Sequence, residues 1–263
     1  MSTVTLTHIG GPTTIIEVDG WRILTDPTFD APGRTYQFGW GTSSRKTTGP
    51  AIPASEIGPI DAVLLTHDHH ADNLDDTGRT LLPSASVVLT TTSGADRIGQ
   101  NARGLRNWDT TELTHPDKPV ITVTATPCRH GPAGSHTIVG DVIGFALTWD
   151  GQQHGALWIS GDTVLYRGVR EVARRIAVGT AIVHLGCVRF PLTGPIKYTM
   201  DADDALELLK DFRPRNVIPV HYEGWSHFAQ GRRSVEAHWT NATSAVRNRV
   251  VWPTIGQPVD LDV

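Results

Sequence analysis

Apolar and polar positions alternate with a period of two at the start of the chain and later give way to short, almost wholly apolar blocks. VTLTHI (4–9), TTIIEV (13–18) and WRILT (21–25), with Asp19-Gly20 between the last two, predict antiparallel strands. An Asp-Gly pair between apolar runs favours a hairpin, because a type I′ turn needs positive φ at both central residues. Further on, AVLL (62–65), SVVLT (86–90), VITVTAT (120–126), VIGFALTW (142–149), ALWIS (156–160), AIVHL (181–185) and VIPV (217–220) read as strands. Several are continuous apolar blocks, as expected where both faces are covered. Helical spacing appears between them. In DADDALELLKDFRP (201–214), Asp201 is placed to cap a helix with Asp204 in its first turn, and Pro214 ends it. Ala202, Ala205, Leu206, Leu209 and Phe212 would share its buried face. Residues 164–178 put Val169, Val172, Ala173 and Ile176 on one side, and 234–246 do the same with Val235, Trp239, Ala242 and Val246. Mixed strands and helices with a hairpin start predict layered α and β. Residues 27–60 are rich in Gly, Pro, Ser and Thr with little periodicity, and a loop that long usually covers a site.

The 263 residues show no internal repeat or linker, so one domain, 1–263, is expected. The 23 Lys+Arg against 27 Asp+Glu give a formal charge of −4, which disfavours a broad nucleic-acid-binding face. No apolar stretch reaches the roughly 20 residues of a membrane span. MSTVTLTHIGG lacks the basic start and apolar block of a secretion signal, so the expected location is cytoplasmic and no membrane partner is expected. Cys128 and Cys187 are too few for a disulfide framework and read as small buried hydrophobes.

Chemistry gathers where the strands end. AVLLT runs into His67-Asp68-His69-His70-Ala71-Asp72-Asn73, and the strand at 120–126 into Pro127-Cys128-Arg129-His130. ALWIS runs into Gly161-Asp162, and VIPV into His221-Tyr222-Glu223. Ligands of open sheets bind off the strand ends, so these groups are placed to converge. Imidazoles and carboxylates together suit divalent Zn, Mn or Fe. A lone histidine after a strand is ordinarily a surface or hydrogen-bonded residue, and Asp162 alone would pass for a helix cap. Three histidines and two acids within 67–73 are different, because a mere turn has no reason to carry their desolvation and repulsion.

These segments, in this order, resemble the metallo-β-lactamase fold superfamily, in particular the branch of L-ascorbate-6-phosphate lactonase and N-acyl-phosphatidylethanolamine phospholipase D. HIGGPTTIIEVDGWRILTDPTF is similar to its opening hairpin with the Asp26-Pro27 corner, and LLTHDHHADNLD to its metal motif. TPCRHGP, WISGDTVLY and YTMDADDALELL…VIPVHYEGW resemble the segments holding the later ligands. The resemblance implies a four-layer αββα sandwich with one or two divalent ions (Zn, Mn or Fe) in the cleft between its sheets. It also implies metal-assisted hydrolysis by a metal-bound water of a small-molecule lactone or phosphoester, with Asp72 orienting the nucleophile.

The motif departs from the family spacing, which needs ligands at its first, third, fifth and sixth positions. Counted back from Asp72, those positions hold Asp68, His70, Asp72 and Asn73. Counted forward from Thr66, they begin at His67 and His69, with one residue extra before Asp72. The first register is preferred, since it needs no insertion and starts the next helix at Asp72. The resemblance then implies one site of Asp68, His70 and His130 and another of Asp72, Asp162 and His221, with Asp162 bridging. Asn73 stands where the second-site histidine is expected in either register, which weakens that site.

His184, inside an apolar strand, is expected to be hydrogen-bonded and structural, or to support Asp162 or His221. Tyr222, Glu223, Trp225 and His227 either line a pocket or simply pack. Tyr36, Phe38 and Trp40 either cap an apolar part of a substrate or anchor their loop. Arg129 is a solvated cation or an attractor of anions. A di-iron oxidoreductase and a non-catalytic metal-binding protein remain the alternatives to a hydrolase.

Overall fold

The computed structural model describes residues 3–240 and 242–263. The first half of the chain contributes β1 (Thr3–Gly10), β2 (Thr13–Val18), β3 (Trp21–Thr25), β4 (Thr35–Gly39), β5 (Thr42–Arg45), β6 (Ala62–Leu64), α1 (Asp76–Leu81), β7 (Val87–Thr91), α2 (Thr92–Ile98), β8 (Ala102–Leu105) and β9 (Thr110–His115). The second half adds β10 (Lys118–Pro127), α3 (His136–Val139), β11 (Ile143–Thr148), β12 (Ala156–Ile159), α4 (Arg167–Arg175), β13 (Val178–His184), α5 (Ala202–Phe212), β14 (Asn216–Val220), α6 (Arg232–Thr240), α7 (Ser244–Arg247) and β15 (Pro258–Asp262).

Two sheets form, ordered β15-β1-β2-β3-β6-β7-β8 and β14-β13-β12-β11-β10-β9, and β4 with β5 makes a separate hairpin. In the first sheet β3, β6, β7 and β8 run parallel, and in the second β12, β13 and β14 do. The remaining pairings are antiparallel. Successive side chains on a strand point to opposite faces, and this sorts the apolar residues into layers. Ile16, Ile23 and Leu64 of the first sheet meet Phe145, Leu157, Ile159 and Ile182 of the second in a central core. Their neighbours Ile15, Leu24, Val63 and Leu65 face outward with Leu74 and Leu82. Trp158, Ala181 and Val183 face the other way, onto Val169 and Val172 of α4 and Leu208, Leu209 and Phe212 of α5. Three apolar layers between four layers of structure make the αββα sandwich. No helix among the described residues is long and apolar enough to cross a membrane.

Local chemistry explains the boundaries. Asp19 and Gly20 both take positive φ (44° and 85°), the conformation a type I′ turn requires. Asp201 accepts a hydrogen bond from the Asp204 amide while the Asp204 carboxylate reaches back to the Asp201 amide, a reciprocal cap that starts α5. Arg213 closes α5 in a left-handed conformation just before Pro214. Two expectations are corrected here. The buried face of α5 uses Leu208, with Leu206 half-buried, because the helix packs on both the sheet and α6. The stretch 234–246 is two helices, with α7 restarting after Thr243, and Asn241 lies outside the described residues.

Within 27–60 the structure places the β4–β5 hairpin, held down from beneath. Lys46, just after β5, is buried and its Nζ lies 2.7 Å from the buried Asp75 carboxylate. Asp75 also accepts the amides of Phe29, Asp30 and Gly78 and so caps α1.

Candidate metal centre

The C-terminal ends of β6, β10, β12 and β14 deliver their side chains to one locus between the sheets. His67, His70 and His130 form one cluster and Asp72, Asp162 and His221 a second; within each, the ligand atoms lie within 4.8 Å of one another. His67 Nε2 and His130 Nε2 lie 3.3 and 3.1 Å from His70 Nδ1. The three ring nitrogens thus converge on one small region between the strand ends. His67 and His130 are turned inward by what holds their outer nitrogens: Thr66 Oγ1 lies 3.1 Å from His67 Nδ1, and the Tyr198 carbonyl oxygen 2.8 Å from His130 Nδ1. Burial lowers the pKa of all three, to about 4 for His70 and His130 and well below the ordinary value for His67. The rings are therefore neutral near pH 7, the form that binds metals.

The second cluster is charged. His221 Nε2 stands 3.3 Å from Asp72 Oδ2 and 3.5 Å from Asp162 Oδ2. Burial disfavours a charged His221, but the Asp162 and Asp72 carboxylates outweigh it and raise the pKa to about 9. Burial likewise opposes ionisation of Asp72, yet the close His221 and His227 rings hold its pKa well below the usual range. Asp162 has no hydrogen bond to either oxygen, and burial raises its pKa. Asp72 Oδ1 and His221 Nε2 are also buried without a hydrogen-bond partner. His221 sits at positive φ (58°), with its amide on the Gly11 carbonyl, 2.8 Å away. Such a conformation in a non-glycine residue is uncommon and gathers at functional sites.

Not every sequence-predicted residue joins these clusters. Asp68 is turned away: Arg97 of α2 holds its carboxylate in a fork, Nε to Oδ2 at 2.8 Å and Nη2 to Oδ1 at 2.6 Å. His67 is in the three-histidine cluster instead. The extra residue therefore falls between the first and second histidines, a placement that neither counting register contained. The turn absorbs it through the Asn73 and Leu74 amides, which both bond the His70 carbonyl. The helix after the motif begins at Asp76, capped by Asp75, rather than at Asp72. Asn73 is buried, with its Nδ2 3.4 Å from Thr66 Oγ1 and its Oδ1 unpartnered.

Residues supporting the centre were harder to read from sequence. Asp26, at the end of β3, accepts the Thr66 amide and hydroxyl, and its carboxylate faces His184 Nε2 at 3.3 Å. Burial raises the Asp26 pKa to about 7 and lowers that of His184 to about 3. His184 is thus buried against Asp26 and Ser160, as a supporting group. His227 is buried with its Nε2 3.0 Å from Asp72 Oδ2. The one sequence signal for it was its position six residues after His221.

Over the three-histidine cluster lies a cavity of about 140 Å3. Phe38, Val139, Val188, Phe190 and Tyr198 form its apolar walls, and His70, Asp72, His130 and His227 its floor. The β4–β5 hairpin supplies Phe38 and Thr42, so the long early segment does cover the site. Tyr36 packs instead on Trp225, and Trp40 stands 75% exposed at the rim. Arg129 is outside this cavity, with its guanidinium 4.5 Å over the Tyr166 ring.

Comparison with known proteins agrees with this geometry. A family model described as "Beta-lactamase superfamily domain" matches residues 21–222. A UPF0173 metal-dependent hydrolase of Carboxydothermus hydrogenoformans is 28% identical over 232 residues, 84% of this chain and 85% of the relative. An isothiocyanate hydrolase from Delia radicum gut bacteria superposes with a TM-score of 0.79 at 21% identity, covering 97% of this chain and 98% of that one. A metallo hydrolase from Ignicoccus hospitalis superposes with a TM-score of 0.72 at 22% identity, over 99% of both chains. The chain belongs to the β-lactamase superfamily and is a metal-dependent hydrolase of the metallo-β-lactamase fold.

Proposed function

We propose that His67, His70 and His130 would hold one divalent ion, that Asp72, Asp162 and His221 would hold a second, and that the centre hydrolyses a small neutral lactone carrying an apolar arm. The observation that carries this reading is the set of orphaned atoms in the acidic cluster. Both Asp162 oxygens and Asp72 Oδ1 are buried without hydrogen-bond partners, and the two carboxylates share one facing imidazolium, that of His221; a buried carboxylate left only partly paired costs several kcal/mol. A cation is the group that would offset that cost. Three imidazoles beside two carboxylates suit Zn, Mn or Fe. Such ions activate water as a nucleophile and polarise the bond under attack.

The protein's own groups do the rest. Asp72 Oδ1, free of hydrogen bonds, is placed to accept a proton from the attacking water and orient it, with Oδ2 held by His227. Phe38, Phe190 and Tyr198 exclude bulk water and take up the apolar arm. No lysine or arginine is among the residues lining this cavity, which favours a neutral lactone over an anionic phosphoester. The isothiocyanate hydrolase, by its name, also acts on a small neutral electrophile.

The test is to strip the protein with a chelator, reload it with Zn, Mn or Fe, and assay alkyl-substituted lactones, an aryl isothiocyanate and phosphodiesters side by side. Turnover of neutral substrates that rises with apolar arm length until the cavity is full is expected. Turnover of phosphodiesters alone overturns the substrate assignment, and metal-loaded protein inert toward the whole panel overturns the hydrolytic one.

A further inference from the structure

His227 is buried in the wall of the substrate cavity and touches three kinds of neighbour. Its ring stacks on Phe190, with centroids 5.2 Å apart and planes 16° apart, and Phe38 lies 5.1 Å away. Its Nε2 lies 3.0 Å from Asp72 Oδ2. Its Nδ1 bonds the hydroxyl of Ser44, a residue of β5 that is itself buried. The Ser44 hydroxyl is in turn 3.2 Å from the Ser226 hydroxyl, which accepts the backbone amide of Arg45 at 2.9 Å.

Donor and acceptor rules give this chain one consistent direction. Asp72 sets it from one end, since a carboxylate oxygen can only accept and His227 Nε2 must carry the proton; at the other end Ser226 Oγ accepts the Arg45 amide and can donate to Ser44 Oγ. Ser44 then donates to His227 Nδ1. A neutral imidazole that accepts at Nδ1 carries its proton on Nε2, where it meets a carboxylate oxygen that can only accept. Asp72 therefore sets the tautomer of His227, and Ser44, with Ser226 behind it, matches that tautomer from the other side of the ring.

We propose that His227 is a positioning residue for the acidic half of the centre, its Nε2–H holding the Asp72 carboxylate in place beside His221, with Ser44 of the hairpin and Ser226 behind it supporting that orientation. This rests on the two-ion reading above. Two features make the role matter. Asn73 occupies the place of the expected second-site histidine and is bonded to Thr66, so no imidazole from the metal motif steadies this half. Asp162 has no hydrogen bond of its own, which leaves His227 as the hydrogen-bond donor to the carboxylates of the cluster among the described residues. Groups that orient a ligand in this way are commonly worth 10–100-fold in metal affinity.

The experiment uses Co2+ alone as the probe, titrated into chelator-stripped full-length protein by calorimetry and by visible absorption. Variants His67→Ala and His221→Ala assign the two ions. His227→Ala is expected to weaken the ion of the acidic half by about 10-fold or more and change its absorption envelope, while the three-histidine ion stays within about 3-fold. His227→Gln, whose side-chain amide can still donate to Asp72, is expected to restore most of that affinity. Ser44→Ala, which leaves the ring in place and removes its support at Nδ1, should give a loss between the two; it keeps the test decisive if His227→Ala does not fold. Equal losses in His227→Ala and His227→Gln would mean that ring packing matters and not the N–H, and would overturn the proposal. So would unchanged affinity in all three variants, or equal weakening of both ions. Wild-type protein that takes up no cobalt overturns the two-ion reading itself, a result distinct from wild type loading two ions that His227 does not influence.

Discussion

The two halves of the centre are both buried, yet they are finished differently. In the three-histidine half, the outer nitrogens of His67 and His130 are met by Thr66 and the Tyr198 carbonyl, and the rings are neutral. Neutral imidazoles are cheap to bury, so this half is tolerable to the fold with or without an ion. The acidic half concentrates charge and leaves four polar atoms without hydrogen bonds. Asp75 shows what a buried carboxylate with a structural role looks like in the same molecule: one lysine ammonium and three backbone amides surround it. Asp162 has none of these. The contrast separates a carboxylate that completes the fold from one that the proposed metal centre would use.

That contrast predicts opposite outcomes for removing the two kinds of acid. Asp162→Ala should lower metal content to at most one ion per chain and hydrolysis by at least roughly 100-fold, more than loss of an outer-sphere partner costs. The metal-free variant should nevertheless melt close to the metal-free wild type, because a buried carboxylate without hydrogen bonds has gone while His221 keeps Asp72 as its partner. Elemental analysis with thermal melts checks both, and a large drop in the metal-free melting temperature would break the comparison. Lys46→Met strands Asp75 and should destabilise the protein by about 3 kcal/mol in urea unfolding, as breaking a buried pair usually does. A cost below about 1 kcal/mol would show that the three amides suffice.

A smaller pair of effects sharpens the boundary of the three-histidine half. His67→Ala should abolish one ion, whereas Asp68→Asn should keep both and lower stability by only about 1 kcal/mol. Asp68 is held by a half-exposed arginine, so solvent screening limits what that pair contributes. Metal counting on the two variants decides; loss of an ion in Asp68→Asn would return Asp68 to the centre.

The smallest effect concerns His8, a buried imidazole away from the centre, with Nε2 2.9 Å from the Gly11 carbonyl. Burial lowers its pKa from 6.5. Above pH 6.5 it is neutral folded or unfolded. On acidification the unfolded chain takes the proton first, so stability is lost as pH falls from about 6.5 toward the folded-state value. His8→Gln keeps a donor for Gly11 and has no such loss. The urea midpoint of the variant should therefore gain on wild type as pH falls from about 7 to 5. A constant difference would show that His8 does not titrate differently on folding.

Much of the scaffold was legible because its signals are local. The period-two runs, the Asp19-Gly20 turn and the Asp201 cap depend on residues a few positions apart, and the structure has all three. The β4–β5 hairpin was not legible because TYQFG is short and TSSR has no apolar residue, so the alternate burial seen in the structure leaves little hydrophobic pattern in the sequence. β15 pairs with β1 across nearly the whole chain and has little apolar character of its own.

The sequence by itself determined that imidazoles and carboxylates would stand at the ends of β6, β10, β12 and β14, because strand patterning places those ends. Only the tertiary structure decided which of them face one another. Spacing cannot locate one extra residue inside an irregular turn, where the direction of each side chain follows the local φ and ψ. Arg97, 29 residues further on, takes Asp68 out of the cluster, and His67 and His70 meet across the inserted residue. His227, 155 residues from Asp72, meets its carboxylate only through the fold.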